Sequence, residues 1–132
     1  MKKIILPLLL IALLLTACGG RVGMAAVGHM DSEIYSDTAI DAAIDCAMTY
    51  FRTHFDDCTL LTIAYAGDDS AQEAQEWAAQ YEADEAIVLV SSFAVGPTGG
   101  DGSLNPNFVY ENWQWILVRS NGGAWRHADH GY

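Results

Sequence analysis

FVYENWQWILVRSNGG, residues 108–123, decides how this chain folds. Trp113, Trp115 and Leu117 alternate with Gln114, Ile116 and Val118, the period of two that puts successive side chains on opposite faces of a strand. Both sets are apolar from residue 115 onward, so this strand is covered on both sides. Asn121-Gly122 then marks a tight hairpin turn. The spacing therefore predicts a long strand over 108–120, paired with a last strand, AWRHADHGY, over 124–132.

Working back from this hairpin, EAIVLVSSFAV (85–95) reads as another strand with a continuous apolar run, suited to a central place in a sheet. TLLTIAYA (59–66) is a further strand, stopped by Gly67, Asp68 and Asp69. Two helices are expected between and before these. Ser36 is a cap with Asp37 in the first turn, and Ile40, Ile44, Ala47, Phe51 and Phe55 follow at intervals of three and four. Ser70 and Glu73 match a capping box, ahead of Ala74, Trp77, Ala78 and Tyr81 on one helical face. The order α-β-α-β-β-β points to an α+β fold, a curved antiparallel sheet packed on two helices.

The N-terminus bears on location. MKKIILPLLLIALLLTAC carries Lys2 and Lys3, then an apolar run from Ile4 to Leu15. This is the layout of a secretory signal, and it is too short for a membrane span of ~20 residues. Residues 1–17 are read as the signal. Leu15-Thr16-Ala17-Cys18 resembles the lipobox of bacterial lipoproteins, which implies a diacylated Cys18, a membrane partner through that anchor, and an extracytoplasmic location. Residues 18–31, rich in glycine and without periodicity, are read as a flexible lipidated tether, and 32–132 as a single domain.

The whole chain has 6 basic and 17 acidic residues. Both lysines lie in the signal, so the remainder holds 4 arginines, no lysine and a net charge of −13. Such a surface repels nucleic acid and excludes lysine-based chemistry. No cofactor motif is present. Cys46 and Cys58 are left as a disulfide pair on composition. Cys46 lies ~13 Å along the axis from the expected helix end and Cys58 only three residues past it, so the bond, which needs Cα atoms within ~7 Å, would require the chain to double back sharply.

Taken together, LTAC, the IYSDTAIDAAIDCAMTYF helix, DEAIVLVSSF, GGDGSLNPN, NWQWILVR and HADHGY resemble a family of small lipoproteins of unknown function from clostridial-type Gram-positive bacteria. The resemblance covers nearly the whole of the domain and implies no reaction. The element order is also similar to the roll of nuclear transport factor 2 and its relatives, or to a cystatin-like roll. Such rolls often hold a pocket between helix and sheet, and the fold alone does not fix function.

Three sets of residues carry chemistry. Asp101, Ser103, Asn105 and Asn107 alternate oxygens in the loop GPTGGDGSLNPN (96–107), which suits a hard cation or a structured turn. The EF-hand pattern fails there, because Pro106 and Asn112 stand where glycine and glutamate are required. His127 and Asp129 share a face of a regular strand, which suits acid–base work, and with His130 a zinc site. Phe51, Trp77, Phe93, Trp113 and Trp115 are the expected walls of a helix–sheet pocket. The leading expectation is non-enzymatic binding of a small ligand or an envelope partner. An enzyme using His127 and Asp129 is the first alternative, and a structural or partner-docking lipoprotein is the second.

Overall fold

The computed structural model describes residues 19–132. The signal segment and Cys18 lie outside the described residues. The elements run β1 (Ala26–Val27), α1 (Asp37–His54), β2 (Cys58–Tyr65), a 3₁₀ turn (Asp68–Ser70), α2 (Ala71–Gln80), β3 (Glu85–Val95), β4 (Val109–Arg119) and β5 (Arg126–Gly131). All five strands form one sheet in chain order. The pairs from β2 to β5 are antiparallel, and β1 is parallel to β2. The class is α+β, as expected, but the sheet is mixed and has one more strand. Among the described residues no helix is long and apolar enough to cross a membrane.

The added strand comes from the segment expected to be a tether. The Gly20 amide donates to the Arg52 carbonyl at 2.9 Å, Arg21 N to Cys58 O at 2.9 Å, Leu60 N to Arg21 O at 2.8 Å and Gly28 N to Ile63 O at 2.9 Å. Residues 20–28 thus run along the edge of β2. Gly20, one of the glycines that suggest flexibility, serves close approach instead, because a Cβ there would overlap the carbonyl and ring of Phe51.

Helix α1 forms as the sequence dictates. Ser36 is extended, and its hydroxyl accepts from the Ala39 amide at 3.1 Å. Ala39, Ile40, Ala43, Ile44, Ala47 and Phe51 are buried along one stripe, and Phe55 ends the helix by donating its N–H to Phe51 O. The start of α2 differs from the expected capping box. Ser70 is already near-helical at φ −80, ψ 0, the last residue of the 3₁₀ turn, and gives its hydroxyl to Gly67 O at 2.6 Å. A capping side chain needs an extended backbone to reach the third amide. Glu73 accepts instead from the Trp77 indole at 3.3 Å.

The helices lie on opposite faces of the sheet. Against α1 pack Cys58, Leu60, Ile63 and Tyr65 of β2, Ile87, Leu89 and Phe93 of β3, and Trp113, Trp115 and Leu117 of β4. Against α2 pack Ala86, Val88, Ile116 and Val118, met by the small side chains of Ala74 and Ala78. Three register shifts interrupt the ladders: between Leu60 and Thr62 in β2, opposite Ser91–Phe93 in β4, and between His127 and Asp129 in β5. Each adds one residue to one strand, which bends the strand and resets which side chains face α1. Asn112, in the second, has φ +57. The predicted hairpin turn is present, with Asn121 at φ +57, Gly122 at φ +62 and Gly123 N bonded to Ser120 O at 3.0 Å. Cys46 and Cys58 are free thiols. The Cys46 thiol donates to Trp125 O at 3.4 Å, and burial beside Asp57, Asp101 and Asp56 pushes the Cys58 thiol up to about 11, which keeps it protonated and inert.

Candidate functional site

The loop between β3 and β4 folds back on the end of α1. Asp57, at φ +59, accepts from the Thr98 amide at 2.9 Å and from its hydroxyl at 2.5 Å, and Gly96 N donates to Asp57 O at 2.7 Å. Gly99 and Gly100 take φ +72 and +68, where a side chain would be strained. Asp101 accepts from both the amide and the hydroxyl of Ser103, at 2.9 and 2.5 Å. Asn105 donates its amide to the Tyr110 hydroxyl at 3.1 Å, and Asn107 N donates to Gly96 O at 3.1 Å. One oxygen of Asp101, Oδ1, and the Ser103 hydroxyl are therefore turned onto each other, and Asn105 and Asn107 are held by their backbones. Among the described residues no group of three or more His, Cys, Asp or Glu is placed to hold a metal. The loop is a self-bonded turn, and its inner side forms a wall.

The bulge in β5 rearranges the tail. Ile116 pairs with Asp129 and Leu117 with His127, so Ala128 is the extra residue. On a regular strand His127 and Asp129 would share a face. Here His127 and His130 share the α1 face, while Ala128 packs on the α2 side and Asp129 lines a shallow recess there with Trp77 and Ile116. His127 Nε2 lies 2.9 Å from His130 Nδ1. The Asp129 carboxylate accepts from the His130 amide at 2.8 Å and holds neither imidazole by a side-chain bond. The His127–Asp129 acid–base pair and the His127–Asp129–His130 metal set are thus not assembled.

The imidazoles join a stack instead. Tyr50 lies between His54, at 4.0 Å and 8°, and His127, at 3.7 Å and 9°. His130 then lies over Trp113 at 5.8 Å and 26°. Burial, and the neighbouring imidazole, depress His127 to about 4, and burial lowers His130 as well. The folded chain therefore resists protonating His127, while the unfolded chain protonates it near 6.5. Stability from this source is full above that value and is lost as pH falls from about 6.5 toward 4. His127 is only half-buried, so solvent screens the effect to about 1 kcal/mol between pH 7 and pH 5. Urea unfolding at the two pH values should show this loss in the wild type and a flatter response in His127→Phe, which keeps a ring against Tyr50. Equal pH dependence in both proteins would contradict the assignment.

Between the end of α1, the loop and the β4–β5 floor lies a cleft of about 410 Å³. Tyr50, His54, Phe55 and Asp56 come from α1 and its exit. Gly100, Asp101, Ser103 and Leu104 come from the loop, and Trp113 and His130 form the floor. Of the five expected walls only Trp113 lines it. Phe51, Phe93 and Trp115 lie below in the core with no exposure. Trp77 is on the other face of the sheet, stacked on Tyr81. The sequence had one signal for what was missed: Tyr50 and His54 are four apart on α1, which brings their side chains together.

One atom distinguishes the floor. Trp113 is 9% exposed, and its indole N–H is the one buried side-chain donor or acceptor without a partner among the described residues. Comparison with family models, with characterised proteins and with solved structures returns no match, and the site stands on its own chemistry.

Proposed function

We propose that this chain is an extracytoplasmic lipoprotein, diacylated at Cys18, whose α+β domain binds a small ligand in the α1–loop–sheet cleft without catalysing a reaction. The observation that carries this reading is the buried indole N–H of Trp113 beside the cleft. An unmet buried donor costs about 1–3 kcal/mol, and a ligand that brings an acceptor recovers that cost. The cleft volume falls in the range of small-ligand sites. The three bulges bend their strands, which supports a curved, roll-like sheet. Gly20, two residues after Cys18, is bonded to Arg52 near the end of α1, so the anchor would join the domain at the end that carries the cleft.

The test is a thermal-shift screen of the full chain in detergent against small polar molecules. At 100-fold excess over its dissociation constant a ligand should add ~2.7 kcal/mol, a rise of several degrees. Trp113→Phe should keep a cooperative transition and lose that rise. A rise that persists in Trp113→Phe would remove the cleft from the proposal.

A further inference from the structure

The charges around the cleft name a class of ligand, and this step rests on the cleft being a binding seat. Two carboxylates line it, Asp56 and Asp101, and no lysine or arginine does. Asp56 has no side-chain hydrogen bond among the described residues, and its carboxylate is exposed at the rim. The hydrogen bonds from Ser103 hold Asp101 below the usual carboxylate range, so it stays ionised. His130, kept down by burial, adds no positive charge at neutral pH. The domain as a whole, these two carboxylates included, carries a net charge of −13. The lining is thus anionic at its mouth, and Trp113, whose buried indole N–H has no partner among the described residues, stands in its floor.

We infer that the cleft selects a small cationic amine carrying a neighbouring hydroxyl or carbonyl oxygen, of the size of an amino sugar. The ammonium group meets the carboxylates of Asp56 and Asp101, and the oxygen accepts from Trp113 Nε1. Each demand comes from a different element: α1 and its exit, the β3–β4 loop, and β4. An anion meets two carboxylates and neither lysine nor arginine, and is disfavoured. A neutral polyol satisfies the indole and leaves the charge unmatched. A bare amine does the reverse.

Three probes separate these cases: glucosamine, glucose and N-acetylglucosamine, titrated calorimetrically into the full chain in detergent. Glucosamine should bind about tenfold or more tightly than either neutral sugar, the loss that follows from one missing charge-assisted hydrogen bond. The preference should shrink as salt rises. Asp56→Asn combined with Asp101→Asn should erase it. Asparagine can still accept from Ser103, so the loop turn is kept and the thermal midpoint should move little. Equal affinity for all three sugars, or a preference that survives the double variant, would overturn the charge selection. In that case Trp113-dependent binding of the neutral sugars would leave the cleft as the seat. If glucosamine fails while another molecule of the screen gives a Trp113-dependent rise, the ligand class is wrong and the site is right. Glucosamine binding unchanged in both the double variant and Trp113→Phe would put the amine elsewhere and overturn the class and the seat together.

Discussion

Gly20→Val should lower the stability of the domain by about 2–4 kcal/mol, the range expected when a side chain is forced into packed backbone. Gly20 donates to Arg52 O at 2.9 Å, and a Cβ there would overlap Phe51, both its carbonyl oxygen and its ring. Phe51 is fully buried at the centre of the α1 core and has no room to yield. The valine must therefore push residues 19–21 off α1, and the Arg21–Cys58 and Leu60–Arg21 bonds go with them. Loss of β1 would also uncover the edge of β2, a row of unpaired amides and carbonyls. Gly23→Val is the control, because a Cβ there meets nothing within 4 Å, and its effect should fall within ±0.5 kcal/mol. Urea unfolding of the full chain measures both. A Gly20→Val protein as stable as wild type would mean that residues 19–28 contribute nothing to the fold and act as the tether their composition suggests.

That contrast shows where the sequence was legible. α1 was readable to within a residue, because its cap, its stripe and its terminal Phe55 all follow local rules. The β4–β5 hairpin was readable because Asn121-Gly122 suits two consecutive positive φ values. β1 was not, since two residues leave no periodicity and its bonds are all made to distant residues. The bulges were not, since alternation assumes that no residue is inserted. The insertion at Ala128 alone replaces a His127–Asp129 pair with a His127–His130 pair. Which face α2 covers is likewise tertiary: Ala74 and Ala78 mark a buried stripe but not the side of the sheet it meets. This misplaced Trp77 by a full sheet thickness. Of the site, Trp113 is legible in its strand pattern, and Asp101, Ser103 and His130 stand among the polar candidates of the loop and tail. Tyr50, His54, Phe55 and Asp56 are not legible, because their meeting with the glycine loop depends on Asp57 holding Thr98.

Trp115→Ala should cost about 3–5 kcal/mol, a large part of a total stability of ~5–15 kcal/mol. Trp115 has no exposure, and Tyr50, Phe51, Phe55, His127 and His130 all lie within aromatic contact of it. Its indole N–H donates to Ser91 Oγ at 2.8 Å, and that hydroxyl donates to Trp113 O at 3.1 Å. Ser91 is the one buried polar residue among the described residues, and its hydroxyl serves both neighbours. Ser91→Ala should then cost about 1–3 kcal/mol by stranding the Trp115 donor, even though it removes only one oxygen. The two changes share a bond and should not add: Trp115→Phe with Ser91→Ala should cost less than the sum of the singles. Denaturant unfolding of the four proteins gives the coupling, and strict additivity would break the assigned bond. Two residues away on the same face, Trp113 has no Ser91 of its own. The chain supplies a partner for the tryptophan that holds the core together and leaves without one the tryptophan that floors the cleft.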